Sequence, residues 1–432
     1  MEVFGKFTTT FQQYLWSFPM LFLLLGTHLY FTFRLHFIQR KVPKGIALSV
    51  SGNKQGFSAL ATALAATIGT GNIVGISTAI ALGGPGAVFW CWVTGVLGIA
   101  TCYGECYLSA KYRVKKEDGI YTGGPMYVLE HVLHKKGMAI AFSFFTVMAS
   151  FGIGSSVQAH SISMAVTEQI PISPHIIGML AGVLAGMVII GGSRQIAKVC
   201  TWLVPVMSVF YLGGCIFILI INYRVVGDAL KLIFECAFTL PAAGGGLAGS
   251  AFMMGMRTGI SRGLFTNEAG LGSIPMTAAT AETKSPVEQG LISMTGPFWD
   301  TVVMCAITGV ASVSSMIAHP GRYENVAMDG MCFVAFSELP FLGEEMLSIS
   351  LVLFAFATII GWNVYGECAA EYLWGTEGKK VFQVIYMLFV YLGAVVSLDL
   401  VWGLSDLFNS FMAIPNLLCL WMLRKDIIRE AP

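Results

Sequence analysis

Residues 65–86 read AATIGTGNIVGISTAIALGGPG, inside a stretch from Gly56 to Gly104 that carries no charged side chain. An uncharged run of that order is bilayer material, since a span needs about 20 mostly apolar residues. Gly69, Gly71 and Gly75 nevertheless make its centre a poor helix, because glycine costs about 1 kcal/mol against alanine in a helix interior. Unpaired backbone groups in hydrocarbon cost several kcal/mol each, so irregular backbone persists there only where it faces protein or a watery cavity. A broken membrane helix therefore points to a site for a small solute or an ion. Thr70, Gly71 and Asn72, at the interruption, are the expected lining of that site.

The rest of the chain agrees with a lipid bilayer as solvent. Of its 432 residues, 56% are hydrophobic and 11% charged, with a mean hydropathy of +0.73; soluble domains carry about 25% charged residues. The apolar runs are continuous rather than alternating, which excludes a β-barrel. A net charge of +1, with no basic cluster interleaved by aromatics, offers nothing to nucleic acid. The ten cysteines are scattered; Cys102 and Cys106 are spaced i, i+4, but no neighbour completes a metal set. They read as small packing residues. The start, MEVFGKFTTTFQQ, lacks the positive region of a cleaved signal, so the first apolar run reads as a retained helix.

Spanning segments are expected at 14–37, 57–82, 86–110, 138–166, 174–192, 197–222, 243–258, 288–317, 345–372, 380–398 and 402–423. Stretches 225–240 and 259–285 read as interfacial helices or loops. With alternate loops assigned to two sides, 21 of the 25 Lys and Arg fall on one side, leaving Lys6, Arg224, Lys231 and Arg322 on the other. Positive loops mark the cytoplasm. The N-terminus is thus expected outside a cell membrane and the C-terminus in the cytoplasm. The seventh segment is short and opens on AAGGGLAGS, with Gly244, Gly245 and Gly246 in a row. The two interrupted segments head two sets of five, and an odd number per set forces the halves to be inverted. Paired interruptions of this kind are the signature of an inverted-repeat transporter. The expected fold class is an all-α polytopic membrane protein with 11 transmembrane helices. An accessory helix lies within 1–40, the repeat halves are 57–222 and 242–423, and 424–432 is a cytoplasmic tail.

The stretch GTGNIVGISTAIALGGPGAVFWCWVTGVLG (69–98) with the following YGECYLSAKYR, GLFTNEAGLGSIP (263–275) and GWNVYGE (361–367) resembles the alanine or glycine:cation symporter family over essentially the whole chain. The resemblance implies a sodium- or proton-coupled importer of small amino acids. It also implies the leucine-transporter type of fold, with ten core helices in two inverted halves. It places Thr70, Gly71 and Asn72 at the substrate.

An amino acid brings a carboxylate and an ammonium into a low-dielectric pocket, and both need partners. The N–H groups around Gly71 to Val74, at the positive end of the second half-helix, suit the carboxylate. The ammonium is expected at the carbonyls of Gly244, Gly245 and Gly246. Gln158 sits mid-helix, where a cavity or an interhelical hydrogen bond would equally satisfy it. Trp362, one turn from Thr358, would close over the substrate, with ordinary packing as the competing reading. Carbonyls near Ala65, Thr67 and Ile68, together with Thr358, would give the coupling ion, Na+, a hard oxygen-rich site. Among the buried charges, Glu105, Glu268 and Glu367 read as structural ion pairs or helix caps. Asp300 stays open to proton coupling or sodium ligation, and His160 reads as a hydrogen-bonded packing residue. There is no HExxH, GxSxG or Walker motif, and GTGNIVG has Val74 where a dinucleotide fingerprint needs its third glycine. No enzyme and no organic cofactor are expected. The competing functions are a proton-coupled amino-acid symporter of the same fold and, further off, an ion channel. The expected partners are a small neutral amino acid such as alanine or glycine and the lipid bilayer.

Overall fold

The computed structural model describes residues 18–51, 54–116, 119–238, 247–324, 326–396 and 399–432. They are almost all helical. The exception is a short antiparallel hairpin that pairs Val114–Lys115 with Tyr121–Thr122. Apolar helices cover the expected segments: Phe18–Arg34, Gly86–Lys111, Lys136–Gln169, Pro174–Ile190, Gly192–Ile221, Pro286–Ala318, Gly343–Val395 and Asp399–Met422. Among the described residues, five helices are individually long and apolar enough to cross a membrane, or seven if each sharply bent pair is one span. The ninth and tenth expected segments run on through Gly343–Val395 and part at Gly375, whose φ of 71° ends regular helix there. Large apolar side chains such as Met179, Val183, Met187 and Ile190 are exposed along one helix. That is the pattern of a surface solvated by lipid tails rather than water.

The broken segment is two helices, Lys54–Thr67 and Val74–Gly83, joined by a single 3-10 turn at Thr70–Asn72. The two parts are bent by 59°.

The seventh segment differs from expectation. Its helix runs Leu247–Asn267, past the expected end at 258. Arg257 and Arg262 therefore lie inside a helix, not in a loop. Those charges diluted the hydropathy signal and made the segment read as short. The expected interruption at Gly244 to Gly246 lies outside the described residues. A break does occur further on, at NEAGLGS, before the short helix Ile274–Ala278. Glu268, Gly270 and Gly272 there all have positive φ, at 54°, 90° and 86°.

The two broken segments lie side by side. A methyl on Gly255 would stand 2.7 Å from the carbonyl oxygen of Gly83. One on Gly71 would stand 3.1 Å from Thr266 Oγ1, so the first break meets the C-terminal end of the Leu247–Asn267 helix. Two large apolar cores flank the pair. One is built from Ala65, Ile68, Met207, Phe354 and their neighbours, the other from Leu24, Tyr103, Phe142, Leu417 and theirs.

Candidate functional site at two helix breaks

The first break is held by its own sequence. Gly69 is extended, at φ −139° and ψ −155°, and its N–H donates to Asn72 Oδ1 at 2.9 Å. The turn satisfies the N–H groups of Asn72 and Ile73, each at 3.2 Å. Those of Thr70 and Gly71 stand outside that ladder, at the start of the Val74–Gly83 helix.

Three further helices close on this turn. From the Gly343–Val395 helix, Thr358 Oγ1 donates to the Ala65 carbonyl at 3.2 Å. Only glycine leaves room for it: a methyl on Gly69 would lie 2.4 Å from Thr358 Oγ1 and 3.7 Å from Gln158 Oε1. Gln158 follows a π-helical turn, Ser150–Ser156, and its Nε2 donates to the Ile153 carbonyl at 3.0 Å. Such turns free carbonyls from the regular ladder and are frequent at functional sites. The second break supplies Phe265, Thr266 and Glu268.

Together these residues enclose a small cavity lined by Ala66, Thr67, Gly69, Thr70, Gly71, Gln158, Thr358, Trp362 and the second-break residues. Its free volume is about 10 Å³, comparable to one water molecule. Two acceptor-bearing groups, Thr70 Oγ1 and Gln158 Oε1, are buried without a hydrogen-bond partner. Native interiors rarely leave such atoms unmatched, so the cavity is chemically incomplete towards a donor or a cation.

The expected residues thus divide. Thr70, Gly71, Gln158, Thr67, Thr358 and Trp362 line one cavity, and Ala65 adjoins it through Thr358. Ile68 is buried beside them but does not reach the wall. Asn72 does not line the cavity, and its side chain is engaged elsewhere. Its Nδ2 donates to Asp300 Oδ1 at 2.8 Å and to the Asp300 carbonyl at 3.1 Å, and its Oδ1 holds Gly69. Gly244, Gly245 and Gly246 lie outside the described residues. His160 does not line the cavity.

The buried charges also sort. Glu367 pairs with Lys379 at 2.8 Å and accepts from Gln383 at 2.6 Å, the structural role expected of it. Glu105 accepts from Asn416, which also donates to the Gly270 carbonyl at 2.9 Å, so both brace the second break. Asp300 lies in a second π-helical turn, Phe298–Cys305, and accepts from Asn72 and, at 2.7 Å, from Thr301. Glu268 lies in the second break. It lines the cavity and accepts from Ser273 Oγ at 2.5 Å. Glu268, Phe265 and Thr266 were missed because NEAGLG reads as a polar loop beyond the end of a short span. The density of Asn, Glu and alternating Gly there was the available signal.

A larger cavity of about 340 Å³ lies along the same Lys54–Thr67 helix. It is lined by Gln55, Ser58, Thr62, Arg194, Thr277 and Glu282, among others. Thr62 is about one helical turn from Ala66, which lines the small cavity.

Comparison with known proteins places this arrangement. Residues 1–431 match the model of the sodium:alanine symporter family. The chain is 42% identical over 441 residues to the sodium/alanine symporter AgcS of Methanococcus maripaludis, covering 99% of this chain and 96% of that one. It is also 42% identical over 430 residues to an uncharacterized transporter of Haemophilus influenzae, covering 97% and 93%. The probable sodium/glutamine symporter GlnT of Bacillus subtilis is 36% identical, covering 96% and 87%. Among solved structures, MhsT in complex with L-phenylalanine superposes with a TM-score of 0.60 at 15% identity, covering 87% and 91%. A Na+-coupled sialic acid symporter in a substrate-bound outward-open state gives 0.56 at 12%, covering 88% and 82%. Those two likenesses establish the leucine-transporter type of fold.

Proposed function

The chain belongs to the sodium:alanine symporter family, a family of multi-pass membrane transporters, and from that premise we propose that it imports a small neutral amino acid of the alanine or glycine class together with Na+ by alternating access. The observation that carries this reading is the cluster of oxygens at the first break. Thr358 Oγ1 lies 3.2 Å from the Ala65 carbonyl, in the last turn of the Lys54–Thr67 helix, where Thr67 and Ile68 lead into the break. A donor set of hydroxyl and carbonyl oxygens suits a hard cation, and Na+ is cargo here. The substrate carboxylate would sit at the N–H groups of Thr70 and Gly71, at the positive end of the Val74–Gly83 helix. Trp362 and Phe265 wall the cavity and leave room for only a small side chain. The halves 57–222 and 242–423 would be the inverted repeats, with the N-terminal helix as an accessory. The N-terminus would lie outside and the C-terminus in the cytoplasm.

Reconstitution in liposomes tests the proposal. Labelled alanine should accumulate uphill under an inward sodium gradient, and not when sodium is replaced by potassium on both sides. Accumulation driven by a proton gradient without sodium would favour the proton-coupled reading. Flux that is only downhill would overturn symport.

A further inference from the structure

Among the described residues, Glu268 is the only charged side chain in the cavity wall. It is 1% exposed, on a backbone turned outward from the helix at φ 54°. Ser273 Oγ donates to it at 2.5 Å, and so does the Trp362 indole. No Lys, Arg or His pairs with it among the described residues, and the charged groups that face it, Glu105 and Asp300, are themselves acidic. An ionised Glu268 thus has no resident counter-charge, and a buried charge without one is costly. Gln158 lines the same cavity; its Nε2 donates to the Ile153 carbonyl, and its Oε1 has no donor.

Glu268, which has no counter-charge, and Gln158 Oε1, which has no donor, line one cavity together with Thr70 and Gly71. A compact cation with several N–H donors would satisfy both groups. We propose that Glu268, with Gln158 Oε1, binds the α-ammonium group of the transported amino acid and makes the site reject acids that lack it. The assignment rests on the amino-acid reading above and moves the ammonium site from the expected Gly244 to Gly246 carbonyls to the second break. The sodium oxygens around Ala65 and Thr358 stay separate from it.

The test is equilibrium binding to the purified full-length protein, wild type, Glu268→Gln and Glu268→Asp. L-alanine and L-lactate, which replaces the ammonium by a hydroxyl, are measured by competition at saturating sodium. Sodium binding is measured without amino acid. Glu268→Gln should weaken alanine at least about tenfold, as loss of a charged hydrogen-bond partner does, with lactate and sodium within about threefold of wild type. Glu268→Asp should fall between. Unchanged alanine affinity in Glu268→Gln, equal losses of alanine and lactate, or loss of sodium binding each overturns the assignment. If Glu268→Gln does not fold, Glu268→Asp decides by the same comparison: a greater loss for alanine than for lactate supports the assignment, and equal or absent changes overturn it. A wild type that binds no small amino acid overturns the amino-acid reading and this assignment with it, whereas a normal wild type beside an unaffected variant overturns the assignment alone.

Discussion

Thr70 and Asn72 were indistinguishable in the sequence, two polar residues flanking one glycine, and the structure gives them opposite roles. Asn72 is fully used: it bridges Gly69 N–H to Asp300 across the molecule. Thr70 is buried with an unpartnered hydroxyl at the cavity. Removing one member of a buried polar pair costs the desolvation of the other, about 1–3 kcal/mol. Asn72→Ala should therefore lower stability by about that amount, seen as a fall in melting temperature in detergent, and should lose transport with it. Thr70→Val replaces an unsatisfied buried hydroxyl by a methyl of the same shape, which is near neutral or stabilising. Its melting temperature should hold while alanine affinity drops. Equal destabilisation of both variants would mean that Thr70 is also structural. No sequence pattern could separate them, because the partner that defines Asn72 lies 228 positions away.

At the scale of the element, the first break was legible because glycine and missing charge coincide within one stretch. The second was displaced. Three consecutive glycines at 244–246 are the strongest local breaker in the chain, while the interruption at Glu268 to Ser273 follows a helix carrying Arg257 and Arg262. What the sequence did hold was a packing face. Gly255, Gly259 and Gly263 recur every four residues, a small-residue stripe that lets helices approach closely. The stripe lies against the C-terminal end of the Val74–Gly83 helix and the helix after it. A methyl on Gly259 would stand 2.2 Å from the Ala87 carbonyl, and one on Gly263 2.1 Å from Thr94 Oγ1. Backbone cannot retreat as a side chain does, so overpacking here costs about 1–3 kcal/mol. Gly259→Ala should lower the melting temperature and reduce the yield of monodisperse protein. Gly137→Ala, where no atom lies within 4 Å of the added carbon, should do neither.

For the whole molecule, the cavity is walled from one apolar core, close to its boundary with the other. Ala65 and Ile68 belong to one core, whereas Ala66, Ile153, Phe265 and Trp362 belong to the other. Packed cores resist deformation, so under the proposed alternating access a site at their boundary would be opened by relative motion of the two without unpacking either. The 340 Å³ cavity below Thr62 then reads as the path opened on one side of that boundary. The charge argument would put this cavity on the cytoplasmic side, because Arg194 lines it and Lys54 and Lys198 adjoin its lining residues Gln55 and Ala197 in sequence. A cysteine at Ser58, within this cavity, converts that argument into a measurement. In a background free of other reactive thiols, Ser58→Cys should be modified by a membrane-impermeant thiol reagent in inside-out vesicles and spared in right-side-out cells. Modification should slow when alanine and sodium favour closure of this side, and sodium alone should have a smaller effect. Labelling from the outer face instead would invert the whole topology, because the direction of every helix follows from this one.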